Sequence, residues 1–182
     1  MTSHLPDTIK QHKQANPDHL RFWIVIVSTT RYEERIKALP STDKTIDMAG
    51  PLLKQHGHEL ARTDFVADDA GMIQDLVKSF ATSTDIDVLV TCGGTGISPR
   101  DITVDVLAGM KLKHLQGFGE LFRALSYQDV GTSAMLSRAE AFIINQKPVF
   151  CLPGSPKAVK LGLEKIIIPE ISHLLAMLRK KE

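Results

Sequence analysis

Between Asp87 and Asp105 the chain reads DVLVTCGGTGISPRDITVD, in which an apolar run leads into a glycine-rich turn and then into a segment carrying the carboxylates of Asp101 and Asp105. Glycines at 93, 94 and 96 let the backbone take positive φ, which turns the N–H groups of Gly93, Gly94, Thr95 and Gly96 toward an oxyanion. Asp101 places a carboxylate within reach of the same pocket. Phosphate groups with a divalent cation are the chemistry that uses both at once. The commoner glycine motifs do not fit: Pro99 stands where a dinucleotide fingerprint needs its third glycine, and no Lys follows the turn as a Walker A loop requires. Taken alone, a GGTG turn is also an ordinary tight connection.

The elements that must position this turn alternate along the chain. Phe22 to Ser28 reads as a strand, uninterrupted and apolar as in a parallel sheet buried on both faces. TTRYEERIKALPSTDK, polar and carrying Pro40, reads as a loop. Asp47 to Gln55 reads as a short helix ending at Gly57, and His58 to Val66 as a second strand. Asp68 and Asp69 head a helix with Met72, Ile73, Leu76, Val77 and Phe80 at helical spacing, and Asp87 to Thr91 is the third strand. Ala141 to Ile144 and Val149 to Leu152 form a hairpin, and Pro153 to Pro156 leads into a last helical region from Lys157, broken near Pro169. The order predicts an α/β fold with a doubly wound, mostly parallel sheet flanked by helices and a small antiparallel hairpin.

At 182 residues and 43% hydrophobic content the chain suits one core, so residues 21–180 read as a single domain behind a polar arm, 1–20. With 22 basic and 21 acidic residues, a net charge of +1 excludes a global field for nucleic acid or an anionic membrane. Cys92 and Cys151 end apolar strands without a metal-spaced partner and read as buried thiols of a reducing compartment, and the seven histidines are dispersed. The arm lacks the apolar core of a signal peptide and no run approaches a membrane span, so a soluble, cytoplasmic protein is expected.

A doubly wound sheet binds ligands at the carboxyl ends of its strands. There fall Ser28, Asp68, the glycine turn with Asp101, and Pro153-Gly154-Ser155-Pro156-Lys157. Each has a plainer use: Asp68 as a helix N-cap, Asp101 and Asp105 as first-turn acids, Lys157 as a solvated helix residue.

TCGGTGISPRDIT, GFGELFRALS (Gly117 to Ser126), GTSAMLSRA (Gly131 to Ala139) and CLPGSPKAVKLGLEKIIIPE (Cys151 to Glu170) together resemble the MoaB/MogA family of molybdenum cofactor biosynthesis proteins, from about Phe22 to Leu175. The GTSAMLSRA and PGSPKAV wording, with DMAGPLL (Asp47 to Leu53), is closer to the MoaB branch. The resemblance implies a molybdopterin pocket, assembly into homotrimers or homohexamers, contact with other molybdenum cofactor biosynthesis proteins and, in competent members, Mg-ATP-dependent adenylylation of molybdopterin with release of pyrophosphate.

Two acids of that family match Asp68 and Asp101, which would hold Mg²⁺ directly or through its waters; Asp47 and Asp105 match further acidic positions. Ser28 and Glu120 of GFGE join the candidate substrate residues, Arg100 and Lys157 are the cationic candidates for phosphates, and Gly154 and Ser155 offer a second anion nest. A salt bridge is the alternative for Glu120, and Phe118, Leu121, Phe122 and Leu125 read as core or subunit contacts. Cys92 and Ala67 depart from the family's threonine and proline, and the stretch between Ser28 and Asp47 is unmatched. Some MoaB proteins lack the acid matching Asp68 and do not adenylylate, whereas this chain keeps it. A non-catalytic pterin-binding or scaffolding oligomer of MoaB type and an unrelated nucleotide-binding α/β protein are the competing readings.

Overall fold

A computed structural model describes residues 19–40, 43–110 and 112–180. The expected polar arm therefore lies, apart from His19 and Leu20, outside the described residues. Strand β1 (Arg21–Val27) is followed by α1 (Thr29–Ile36), α2 (Thr45–Gln55), β2 (Glu59–Val66), α3 (Ala70–Thr82) and β3 (Val88–Cys92). Then come α4 (Thr103–Gly109), β4 (Lys113–His114), α5 (Gln116–Val130), a 3₁₀ segment (Gly131–Leu136), β5 (Glu140–Ile144), β6 (Lys147–Leu152), α6 (Pro156–Gly162), a π-helical turn (Leu163–Ile167) and α7 (Ile168–Arg179).

The strands form one six-stranded sheet in the order β2-β1-β3-β6-β5-β4. The β2-β1, β1-β3 and β3-β6 pairs are parallel, whereas β5 is antiparallel to both its neighbours. Because successive side chains of a strand leave opposite faces, β1 serves two cores. Phe22, Ile24 and Ile26 pack with Leu53 of α2, Phe118 and Phe122 of α5, and Val159 and Ile171 of the C-terminal helices. Trp23, Val25 and Val27 pack with Ile73, Val77 and Phe80 of α3 and Leu107 of α4. Helices therefore cover both faces, the doubly wound arrangement expected from the alternating pattern.

The stretch after Ser28 is a helix rather than a loop. Thr29–Ile36 buries no residue, so its sequence lacks the apolar stripe that marks a helix; end capping and local ion pairs hold it instead. Ser28 Oγ accepts from Arg31 N–H, Arg31 pairs with Glu34 at 2.9 Å, and Lys37 reaches Glu33 at 3.8 Å. Ala38, at φ +52°, ends it ahead of Pro40. The C-terminal irregularity falls just before Pro169, in the π turn where Ile168 N–H reaches back to Leu163 O. Pro169 has no N–H for the carbonyl a turn earlier, so the ladder shifts there rather than stopping. In the hairpin, Asn145 and Gln146 at φ +46° and +59° make the two-residue turn whose twist matches its strands.

Candidate active site

The carboxyl ends of β1, β2, β3 and β6 meet at one edge of the sheet, and the glycine turn closes against them. Gly93, at φ +124°, lies so near β1 that a Cβ there would overlap the Val27 carbonyl; a Cβ on Gly94, at φ +65°, would overlap Thr103 Oγ1. Gly93 and Gly94 thus supply the positive φ, whereas Gly96 is needed for space, since a Cβ would sit 2.8 Å from Asp101 Oδ2.

The turn's hydrogen bonds divide its polar groups sharply. Gly93 N–H donates to Leu152 O at 2.9 Å and so is spent inside the sheet, which removes it from the expected anion-binding set. Thr103 takes the next two carbonyls, its Oγ1 donating to Gly93 O and its N–H to Gly94 O, both at 3.0 Å. Among the described residues the N–H groups of Gly94, Thr95 and Gly96 have no protein acceptor. Asp101 Oδ2 accepts from Ser98 N–H at 2.9 Å, which folds the carboxylate back over the turn.

Adjacent Asp68 and Asp69 take different work. Asp69 Oδ1 accepts from Met72 N–H at 2.9 Å and is the N-cap of α3. That frees Asp68, whose Oδ2 accepts from Thr29 N–H and Thr29 Oγ1, both at 2.9 Å, bridging the end of β2 to the start of α1. Its Oδ1, like Oδ1 of Asp101, has no protein partner among the described residues.

Beside this edge lies a cleft of about 360 Å³ lined by Ile26, Val27, Ser28, Arg31, Asp43, Lys44, Cys92, Gly154 and Pro156. Ser28 and Gly154 fall where expected, but Asp43 and Lys44 line the cleft while Asp47 sits exposed in the first turn of α2. Ser155 caps α6, its Oγ accepting from Ala158 N–H at 3.3 Å. With Lys157 it lines a neighbouring cleft of about 230 Å³ that also holds Ser126, Ser133 and Ser137. Glu120 is exposed on α5 and Arg100 is exposed on the turn. Cys92 and Cys151 are fully buried, and burial pushes both thiols up, Cys151 to about 12, so neither supplies a nucleophile.

Sequence reasoning missed Arg138. Its main-chain N–H donates to Thr95 O at 2.8 Å, Nε to Gly96 O at 2.7 Å, Nη1 to both oxygens of Asp105 at 2.7 and 2.9 Å, and Nη2 to Asp101 O. Asp105 is thereby committed to the guanidinium. The arginine's signal was its place in GTSAMLSRA, one of the segments that carry the resemblance.

The family model for a probable molybdopterin binding domain matches residues 23–173, from β1 into α7. The chain belongs to this family. Molybdenum cofactor biosynthesis protein B of Bacillus cereus is 41% identical over 175 residues, 96% of this chain and 99% of that protein. A crystal structure of a molybdenum cofactor biosynthesis protein B superposes with a TM-score of 0.81 at 42% identity, covering 91% of this chain and 99% of the other. The tungsten cofactor synthesizing protein MoaB from Pyrococcus furiosus gives 0.73 at 38% identity, over 90% and 99%. As a family member of the MoaB type, the chain is a protein of molybdenum cofactor biosynthesis.

For a magnesium ion the donor chemistry fits. Asp68 and Asp101 offer hard carboxylate oxygens, and no group of three or more His, Cys, Asp or Glu gathers into a protein-only metal cage among the described residues. Magnesium is usually held by one or two carboxylates together with substrate phosphates. No helix among those residues is long and apolar enough to cross a membrane.

Proposed function

We propose that this chain is a molybdopterin adenylyltransferase: an oxygen of the terminal phosphate of molybdopterin attacks the α-phosphorus of ATP, the new P–O bond forms as the α–β bridging bond breaks, and pyrophosphate leaves. The observation that carries this reading is the pairing of the acceptor-free N–H groups of Gly94, Thr95 and Gly96 with the unpartnered oxygens of Asp68 and Asp101 at one sheet edge. Two phosphates brought together repel, so the site must supply fixed positive dipoles before any acid or base. The turn supplies them in the backbone. Asp68 and Asp101 would hold Mg²⁺, directly or through its waters, and the ion supplies the charge that offsets the phosphate oxygens. Lys44 in the strand-end cleft and Lys157 in its neighbour are the side-chain cations that would meet the remaining phosphates, whereas Arg31, also in the first cleft, is paired with Glu34. The nucleophile already carries its charge, so no activating base is required.

Assembly into a trimer or hexamer belongs to the same reading. Leu121, Tyr127, Val130, Met135 and Leu136 expose apolar surface along α5 and the following turn, and a light-scattering mass measures the assembly. A non-catalytic pterin-binding role is favoured by one observation, the commitment of Asp68 Oδ2 to Thr29, which is also a sufficient structural reason for that acid. Purified protein incubated with molybdopterin and Mg-ATP separates the two: adenylyl-molybdopterin forms if the chain is an adenylyltransferase, whereas pterin binding without product leaves the second reading.

A further inference from the structure

Every hydrogen bond given to the Arg138 main-chain N–H and guanidinium ends between Thr95 and Asp105, a segment lying more than 30 residues earlier in the chain. In a trans peptide the N–H points opposite to the carbonyl of the same unit. Holding Thr95 O and Gly96 O therefore turns the N–H groups of Gly96 and Ile97 away from Arg138. Thr103 acts the same way on the preceding units: it holds Gly93 O and Gly94 O, turning out the N–H groups of Gly94 and Thr95. Four consecutive N–H groups, 94 to 97, are thus turned away from the two residues gripping the carbonyls behind them, and none of the four has a protein acceptor among the described residues. Nη2 meanwhile anchors the main chain of Asp101 itself.

We propose that Arg138 is the positioning residue of the glycine turn. It keeps the N–H face presented and fixes the backbone from which the Asp101 carboxylate projects. Asp105 is its counter-ion: the paired carboxylate fixes the fork and neutralises it, so Arg138 is no phosphate-binding cation and Asp105 no metal ligand. A lysine cannot replace it, because separate acceptors at Gly96, Asp101 and Asp105 need the planar fork. The inference rests on the adenylyltransferase reading for what the turn binds, though not for the clamp itself.

Amide hydrogen exchange followed by mass spectrometry tests the clamp on the whole chain without ligand. Arg138→Lys and Arg138→Ala are expected to exchange about tenfold or more faster at the hydrogen-bonded amides of Ser98, Arg100, Asp101 and Thr103, and Asp105→Asn by less, because the backbone bonds of Arg138 persist. In molybdopterin adenylylation Arg138→Lys lowers kcat by about 100-fold through misplacement of the turn, and free guanidinium partly restores Arg138→Ala but not Asp101→Ala. Should the alanine variant fail to fold, the lysine and Asp105→Asn variants carry the test. Unchanged exchange in Arg138→Lys, or wild-type kcat in it, overturns the proposal. Faster exchange in variants of a chain that makes no adenylyl product supports the clamp while removing the reading it serves.

Discussion

Substituting alanine at Gly96 and at Gly93 separates the turn's two uses of glycine. At Gly96 the backbone is outside the positive-φ region, and a new Cβ would lie 2.8 Å from Asp101 Oδ2 and 3.2 Å from its Cγ. The atom in the way ends a flexible side chain, so the fold yields by moving the carboxylate; the loss of stability is below about 1 kcal/mol, or within about 4 °C in Tm. The moved group is a proposed Mg²⁺ ligand, and a displacement approaching 1 Å costs about 100-fold in rate. At Gly93 the obstacle is the backbone carbonyl of Val27 at the carboxyl end of β1, and φ is +124°. Strain of about 1–3 kcal/mol adds to about 1 kcal/mol for a weakened Gly93 N–H to Leu152 O bond. About 3 kcal/mol lowers Tm by about 6–12 °C in a chain of this size. Scanning calorimetry paired with the adenylylation assay reads both quantities. Gly96→Ala with wild-type activity, or with a loss of Tm equal to that of Gly93→Ala, refutes the assignment of Asp101's position.

Acid sensitivity centres on His58, buried beside the Phe22 ring at 5.6 Å with Nδ1 unpartnered among the described residues. Burial first, and then His19 and His56, hold it below its ordinary 6.5, so the unfolded chain takes up the proton first as pH falls. Its contribution is complete above pH 6.5 and is lost as pH falls from there toward the folded value, by at most about 1.4 kcal/mol per pH unit; urea titrations of His58→Leu should show a flatter profile. Both cysteines should resist iodoacetamide at pH 8 in the native protein and react in denaturant, as whole-protein mass spectrometry counts directly. Lys147→Met removes an ammonium that donates to Phe80 O, Ser83 O and Ser83 Oγ at the end of α3, each at 2.8 Å, and should cost about 1–3 kcal/mol in thermal unfolding.

The parts of this molecule that were legible in its sequence are those set by local chemistry. β1 could be read because both its faces are buried, and the glycine turn because positive φ at Gly93 and Gly94 restricts residue choice. α1 was not legible: it has no buried face, and one of its caps is Asp68, 39 residues away. The division of labour between Asp68 and Asp69 was equally hidden, since either carboxylate suits an N-cap and only the approach of Thr29 selects between them. Arg138 acts across 42 residues on Gly96, a pairing that neither spacing nor periodicity encodes. Asp105 looked like a site acid for the same reason, because the arginine that occupies it could not be seen.

Pyrophosphate released per molybdopterin consumed, in wild type and in Asp101→Ala, tests the central claim most directly. The account expects one pyrophosphate for each adenylyl-molybdopterin in the wild type, dependent on both molybdopterin and Mg-ATP, and a rate lower by about 100-fold or more in the variant with molybdopterin binding retained. Release independent of molybdopterin, or an undiminished rate in Asp101→Ala, contradicts it.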